Sequence, residues 1–344
     1  MNNQYSIKRI DSEIYTDEDW KEYFAIRTHH AKESGNPLLF TSWMALKERT
    51  LIWLAQGIGI YTLSEGDNSV GFYSFDIRLE NEADRRYVYF RDGVLKDLDA
   101  TLLQSIYVTF MEYDPLSKFL VIKSVNGKHD FLETTANAEI ADYRELFELK
   151  IANAKIDLIK KWYRDYSEKF SDYDLRHYED IPDELLEEYC DVFTELLNDM
   201  PNESKISDFS AINPKEIKQK QVHNRKHNQC SYRYLVFDNS KLIAKTNVFL
   251  NKKNPQKMRQ YMTGVLKAYR GQGFGKWLKA AMFLKLMADF PDLEVITTET
   301  HLKNVASRGL SKQMGFEKTG FEKDYLISKK FMLEHLNVNE NQPL

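Results

Sequence analysis

The stretch GVLKAYRGQGFG, from Gly264 to Gly275, decides how this chain is read. Before it, the run from Gln260 to Leu266 reads as a strand. After it, Phe274, Leu278, Ala281, Met282 and Leu286 recur at helical spacing and form one apolar stripe. Gly271, Gly273 and Gly275 stand between strand and helix. A helix N-terminus carries N–H groups without intrahelical partners and a partial positive charge. Glycines let that backbone approach an anion, so the turn reads as a phosphate cradle. It is not a Walker loop, because Arg270 occupies the position five before Gly275 and Trp277 follows Lys276. It is not a dinucleotide fingerprint either, because Lys276 stands where the third glycine would be needed.

The first four letters occur once before, as GVLK from position 93, which is 171 residues earlier. Other anchors repeat at similar displacement. Tyr5–Asp11 resembles Tyr173–Glu179, and Phe119–Ile122 resembles Leu293–Ile296. An acidic helix start follows each early strand, near Thr16 and near Pro182. Strand pairs follow at 69–75 and 87–90, and again at 232–237 and 241–249, with Asp238–Lys241 as a hairpin turn. A repeat this long means two domains of one plan rather than a solenoid. Ile140, Tyr143, Phe147, Ile156, Ile159, Tyr163 and Tyr166 recur at three- and four-residue spacing, which predicts a helix from Glu139 to Phe170. The expected domains are 1–166, ending in this linker helix, and 173–334.

Composition sets outer limits. The chain has 344 residues, 42% hydrophobic and 29% charged, with a net charge of −4. That supplies apolar material for two cores and no global pull toward nucleic acid or an anionic membrane. The N-terminus lacks a signal-peptide core, and no apolar run reaches membrane-span length. Two cysteines build no disulfide framework, and a cytoplasmic location is expected. Cys190 shares a stripe with Leu186, Phe193 and Leu197 and reads as a buried hydrophobe. His223 and His227 have metal-ligand spacing, but no third ligand is evident and Arg225 and Lys226 surround them, so no metal site is assigned. Lys215, Lys218 and Lys220 read as a solvated helix face.

The spacing Arg270-x-x-Gly273-x-Gly275 after a strand resembles the pyrophosphate loop of the GCN5-related N-acetyltransferase (GNAT) superfamily. The stretch from Asn304 through Ser307 and Leu310 to Gly315-Phe316 resembles that superfamily's second cofactor segment. With Leu278-Lys279 and Asp199-Met200-Pro201, the whole looks most like its tandem-domain members, the group that includes mycothiol synthase. The resemblance implies an α/β (α+β) fold of two tandem domains, each a mixed, mostly antiparallel sheet flanked by helices. It implies acetyl-CoA as cofactor, with Thr263, Gly264 and Val265 on the pantetheine arm. Arg270, Gly271, Gln272, Gly273, Phe274, Gly275 and Lys276 would hold the pyrophosphate, and Asn304 would contact the cofactor.

Glu299 lies five residues before Asn304, where some members have the general base; the other reading is a sheet-edge glutamate. The N–H near Val265 would serve the oxyanion. Ser311 stands where many members carry a tyrosine acid, which leaves the proton donor open between water and an unplaced tyrosine. Asn304 is also a good helix N-cap, and Asp199, Met200 and Pro201 lie where acceptor sites usually fall.

The first half departs from the pattern. In place of the glycine turn it has Asp99, Ala100, Thr101, Leu102, Leu103 and Gln104, preceded by Asp97. Val125 answers to Glu299 and Asp130 to Asn304. It is expected to have the fold without the cofactor. The expected activity is metal-free acetyl transfer to a primary amine of a small molecule or peptide by direct attack. The alternatives are a non-catalytic CoA-binding module and an interaction protein that forms a homodimer through the central helix.

Overall fold

The computed structural model describes residues 5–33, 42–55, 57–66, 68–79, 86–92, 100–117, 119–129, 132–133, 138–200 and 211–335. The earlier GVLK copy, Asp97, Asp99, Asp130 and Pro201 lie outside them. By contacts the described chain forms two units. One holds the chain up to Tyr143 and again from Phe321; the other holds Arg144 through Gly320.

In the first unit, strands β1 (Tyr5–Arg9), β2 (Gly59–Glu65), β3 (Asn68–Leu79), β4 (Arg86–Asp92) and β5 (Phe119–Val125) lie side by side in that order. All neighbours are antiparallel except β4 and β5. Helices α1 (Asp17–Glu33) and α2 (Trp43–Ala55) cover one face through Trp20, Tyr23, Ala45 and Leu46, packed with Ile60 and Phe72. Helix α3 (Ala100–Tyr113) buries Leu102, Leu103, Ile106 and Phe110 on the other face, against Phe75, Phe90 and Leu120.

The second unit repeats the plan. β7 (Asp174–Tyr178), β8 (Gln229–Asp238), β9 (Lys241–Asn251), β10 (Asn254–Val265) and β11 (Val295–His301) follow in order, with β10 and β11 the parallel pair. The β8–β9 hairpin turns through Asn239 (φ 45°) and Ser240 (φ 75°), the left-handed pair that matches strand twist. Helices α4 (Ile156–Lys169) and α7 (Phe274–Asp289) cover one face; α5 (Leu186–Asn198) and α6 (Pro214–Lys226) cover the other. α8 (Val305–Met314) follows β11.

Each unit is completed by a strand from the other half of the sequence. β6 (Glu139–Lys150) pairs with β11 through Arg144–Lys150. β12 (Glu317–Ser328) pairs with β5 through Glu322–Ser328 and leads into α9 (Lys329–His335).

Two expectations are corrected here. Residues 139–150 are strand, not helix; a 3-10 turn at Ile151–Asn153 follows, and the α-helix is confined to Ile156–Lys169. In this strand Glu145, Phe147 and Leu149 are buried in alternation while Ile140 is exposed, so the operative period is two. The boundaries 1–166 and 173–334 followed chain order, whereas contacts place 144–166 with the second unit and the chain from 321 with the first. Among the described residues, no helix is long and apolar enough to cross a membrane.

Candidate cofactor and acceptor site

The site begins where two parallel strands part. β10 and β11 share the register pairs Lys257↔Val295, Met258↔Ile296 and Arg259↔Thr297. Among the described residues their ladder ends there, although β10 runs on to Val265 and β11 to His301. Beyond Arg259 and Thr297 the two strand edges no longer pair with each other, and backbone N–H and C=O groups there are placed to meet an extended ligand.

On its other side β10 pairs with β9, with a register shift between Gln260↔Val248 and Thr263↔Thr246. That shift is one extra residue in β10, a bulge that re-aims the strand where it leaves β11. The sequence placed a bulge or close approach at Gly264. The bulge lies just before it, and the close approach is at Gly264 itself: an added Cβ would lie 2.9 Å from Leu196 Cδ1 on α5. Thr263 Oγ1 lies 2.7 Å from Thr246 Oγ1 and accepts from Gln260 Nε2 at 3.0 Å.

After Val265 the chain makes a short 3-10 turn at Lys267–Tyr269 and then the glycine turn. Gly271 has φ +76° and open space around it. Gly273 has φ +116° and is the N-cap of α7, with no side-chain capping bond. The Lys276 N–H of that first turn donates to the Gly273 carbonyl at 3.0 Å, and no cap side chain takes those of Phe274 and Gly275, which a bound anion could meet. A Cβ on Gly273 would sit 2.1 Å from Tyr166 Cε1, so the position is closed to other residues by conformation and by space.

Helix α4 braces this turn. Phe274 is 1% exposed and stacks on Phe170 with centroids 4.0 Å apart. Phe170 stacks in turn on Tyr166. Trp277 Nε1 donates to Ser167 Oγ at 2.9 Å, and Lys169 Nζ donates to the Gln272 carbonyl at 2.7 Å. Local sequence patterns carry no signal for this bracing, because its partners lie more than a hundred residues apart. Lys276 turns its ammonium over the Trp162 ring at 5.3 Å. Arg270 donates from Nε to the Val265 carbonyl at 3.0 Å and pairs through Nη2 with Asp199. Asp199 C-caps α5, so the residue expected near the acceptor ties that helix end to the turn.

Asn304 is the N-cap of α8, its side chain accepting from the Ser307 N–H at 3.1 Å. Gly315 ends that helix at φ +104°, where a Cβ would lie 2.7 Å from the Asn153 carbonyl oxygen. Ser311 is fully buried, and its hydroxyl has no hydrogen-bond partner among the described residues. The parted strand edges and the helix N-terminus without a side-chain cap fit a thioester carrier with a diphosphate at one end.

Glu299 lies on β11 two residues beyond the parting point, opposite Leu146 of β6. It is clamped by two cations. Arg259 Nη2 reaches Oε2 at 2.5 Å, and Arg144 Nη1 lies 3.7 Å from Oε1. The two guanidinium contacts hold the carboxylate in place between β10 and β6.

Several polar groups in the second unit are buried. Lys245 is the register partner of Gly264 on β9 and is fully buried. Its Nζ donates to Tyr189 Oη at 2.9 Å and sits 3.2 Å from the Phe193 ring centroid. Burial pushes the Lys245 ammonium below its ordinary value. Tyr189 is lowered too, because the charges of Lys245 and Arg233 outweigh the upward push of burial. Burial brings Lys279, in the second turn of α7, down to about 8. Glu145 is lowered chiefly by its bond from Lys318 and also by Arg308, which lies 2.9 Å away. Burial holds the Cys190 thiol up at about 11 and the Cys230 thiol at about 12, which removes both as nucleophiles near neutral pH. His223 and His227 close α6 with ring centroids 4.6 Å apart.

Comparison with known proteins agrees with this geometry. Residues 157–316 match the model of the Acetyltransferase (GNAT) family. A tandem GNAT protein from the clavulanic acid biosynthesis pathway is 14% identical, with a TM-score of 0.66 over 94% of this chain and 98% of that one. A GCN5-related N-acetyltransferase from Sphaerobacter thermophilus is 9% identical, with a TM-score of 0.56 over 95% and 96%. A probable N-acyltransferase from Enterococcus faecalis is 8% identical, with a TM-score of 0.53 over 96% and 74%. At such identities the likeness is one of fold. No curated protein shows significant sequence similarity to the chain.

Proposed function

We propose that this chain, a tandem-domain member of the GNAT acetyltransferase superfamily, transfers acetyl from acetyl-CoA to a primary amine through one site, in its second unit. The observation that carries this reading is the parting of β10 from β11 beside a helix N-terminus entered through Gly271 and Gly273. Acetyl-CoA supplies an activated thioester carbonyl. The glycine turn and the α7 N-terminus hold its diphosphate, with Gln272, Phe274, Gly275 and Lys276 framing it. Arg270 secures the turn from behind, through Val265 and Asp199. Thr263, Gly264 and Val265 present backbone to the pantetheine arm, and the Val265 N–H is assigned to the carbonyl oxygen as its charge develops. Asn304 lines the same arm.

The amine attacks the acetyl carbon directly. A C–N bond forms, the C–S bond breaks, and the thiolate leaves and is protonated by water. Glu299 faces the amine, holds its ammonium form by charge and takes the proton released. The two buried thiols are in keeping with a reducing cytoplasm.

The test is release of free thiol from acetyl-CoA over a panel of primary amines. Amine-dependent release supports the proposal. Tight acetyl-CoA binding with no release over the whole panel favours the rival reading, a CoA-binding module, which draws on Ser311 in the place of tyrosine.

A further inference from the structure

Lys279 lies in the second turn of α7 and is only 4% exposed. Among the described residues, no hydrogen bond or ion pair reaches its ammonium, and burial alone accounts for the shift in its protonation. Lysines buried this deeply are almost always paired, because an ammonium taken out of water is costly. The other cations of these helices are engaged elsewhere. Lys276 turns over the Trp162 ring, Lys285 donates to Asp289 at 2.8 Å, and Lys312 on α8 acts on Glu145. An apolar side chain of similar length would fill the same space without the cost, so packing does not account for the charge.

The direction of the side chain follows from the helix. Each Cα–Cβ bond leans toward the helix N-terminus, and a long side chain covers the turn before its own. Four residues before Lys279 on that stripe stands Gly275, which has no side chain to block the path. This side of α7 meets α8, since a Cβ on Gly275 would lie 3.6 Å from Leu310 Cδ1. About one helical turn separates the two positions, and the four-carbon lysine stem spans it. The ammonium is thereby carried to the first turn, where the N–H groups of Phe274 and Gly275 have no cap side chain.

We infer that Lys279 is an internal counter-ion for the diphosphate of acetyl-CoA, which it meets from inside the first turn of α7. This inference rests on the acetyltransferase reading of the same site. The diphosphate supplies the anion that the protein does not. An opposite charge favours the protonated lysine, so binding moves Lys279 back toward its ordinary range. At about pH 8 half of the free protein has lost this proton. Cofactor binding therefore takes up a proton there, and affinity falls as pH rises above about 8.

The test is calorimetric titration of the intact chain with acetyl-CoA in buffers of different ionisation enthalpy, which counts the protons exchanged. Uptake of about half a proton is expected at about pH 8, nearly one at about pH 9, and almost none at about pH 6.5. The ligand has no group of its own in that window, because its thiol is acylated and its phosphate monoester ionises at about pH 6. Lys279→Met should weaken acetyl-CoA about 10- to 100-fold at about pH 7, the range of a charge-assisted contact, and abolish the uptake. The far-UV spectrum should be kept, since the change removes a buried charge. Lys279→Arg, which stays charged, should recover part of the affinity without any uptake. Wild-type binding without proton uptake at about pH 8–9 overturns the inference. So does Lys279→Met that binds as tightly as wild type, or whose uptake persists. Absence of acetyl-CoA binding to the wild type would instead remove the acetyltransferase reading, and this inference with it.

Discussion

In the first unit, among the described residues, β4 and β5 run parallel through four register pairs, Tyr87–Phe90 against Phe119–Ile122, and β4 is described as far as Asp92. In the second, β10 and β11 share three pairs, and β10 then continues through a bulge to Val265. The register of β4 on β3 is unbroken from Tyr73↔Asp92 to Leu79↔Arg86. The helices that follow are equivalent, α3 starting at Ala100 and α7 at Phe274. The first turns differ: α3 opens with Ala100, Thr101, Leu102 and Leu103, and both leucines are buried, whereas α7 is entered through two left-handed glycines. One plan therefore carries a buried apolar first turn in one unit and, in the other, the bulged strand and glycine turn that we propose as the ligand site. Topology alone does not make the site.

Changes on either side of this comparison test it in descending order of effect. Gly273→Ala places a methyl against Tyr166 in a left-handed backbone, at a strain of roughly 2–6 kcal/mol. Acetyl-CoA binding, followed by calorimetry, should be lost while the far-UV spectrum is kept. At the equivalent helix of the first unit, Leu103→Ala should cost about 2–5 kcal/mol in chemical denaturation yet leave the number of acetyl-CoA sites unchanged. Glu299→Gln should lower kcat by about 10²-fold with acetyl-CoA affinity intact; unchanged turnover near neutral pH would take Glu299 out of the mechanism.

Lys279→Met should raise stability at pH 7 by about 1–3 kcal/mol, because burial depresses the native lysine to about 8. The unfolded chain then binds more protons than the folded one between about 8 and 10.5. Wild-type stability should climb with pH across that window, and the advantage of the variant should shrink there. Asn304→Ala removes the α8 cap and should cost about 1 kcal/mol, read as a small fall in thermal midpoint.

Much of this was legible because it is local. The glycine turn, the stripe from Phe274 to Leu286, the Asn304 cap with Gly315 at the other end, and the Asp238–Lys241 hairpin each declare themselves within a few residues. What was not legible depends on distant partners. Tyr143 and Phe147 satisfy helical spacing, and only the pairing of β6 with β11 makes the alternation of Glu145, Phe147 and Leu149 decisive. The clamp on Glu299 joins positions 144, 259 and 299, and Lys245 meets Tyr189 across 56 residues. The exchange of β6 and β12 between units has no local signature, since each strand would fit either sheet by its own pattern.

The central claim is that only the second unit holds the cofactor. Calorimetric titration of the intact chain with acetyl-CoA tests it most directly through the stoichiometry. About one site per chain is the predicted result, and that site should vanish in Gly273→Ala. Two sites per chain, or one that survives Gly273→Ala unchanged, would contradict the account.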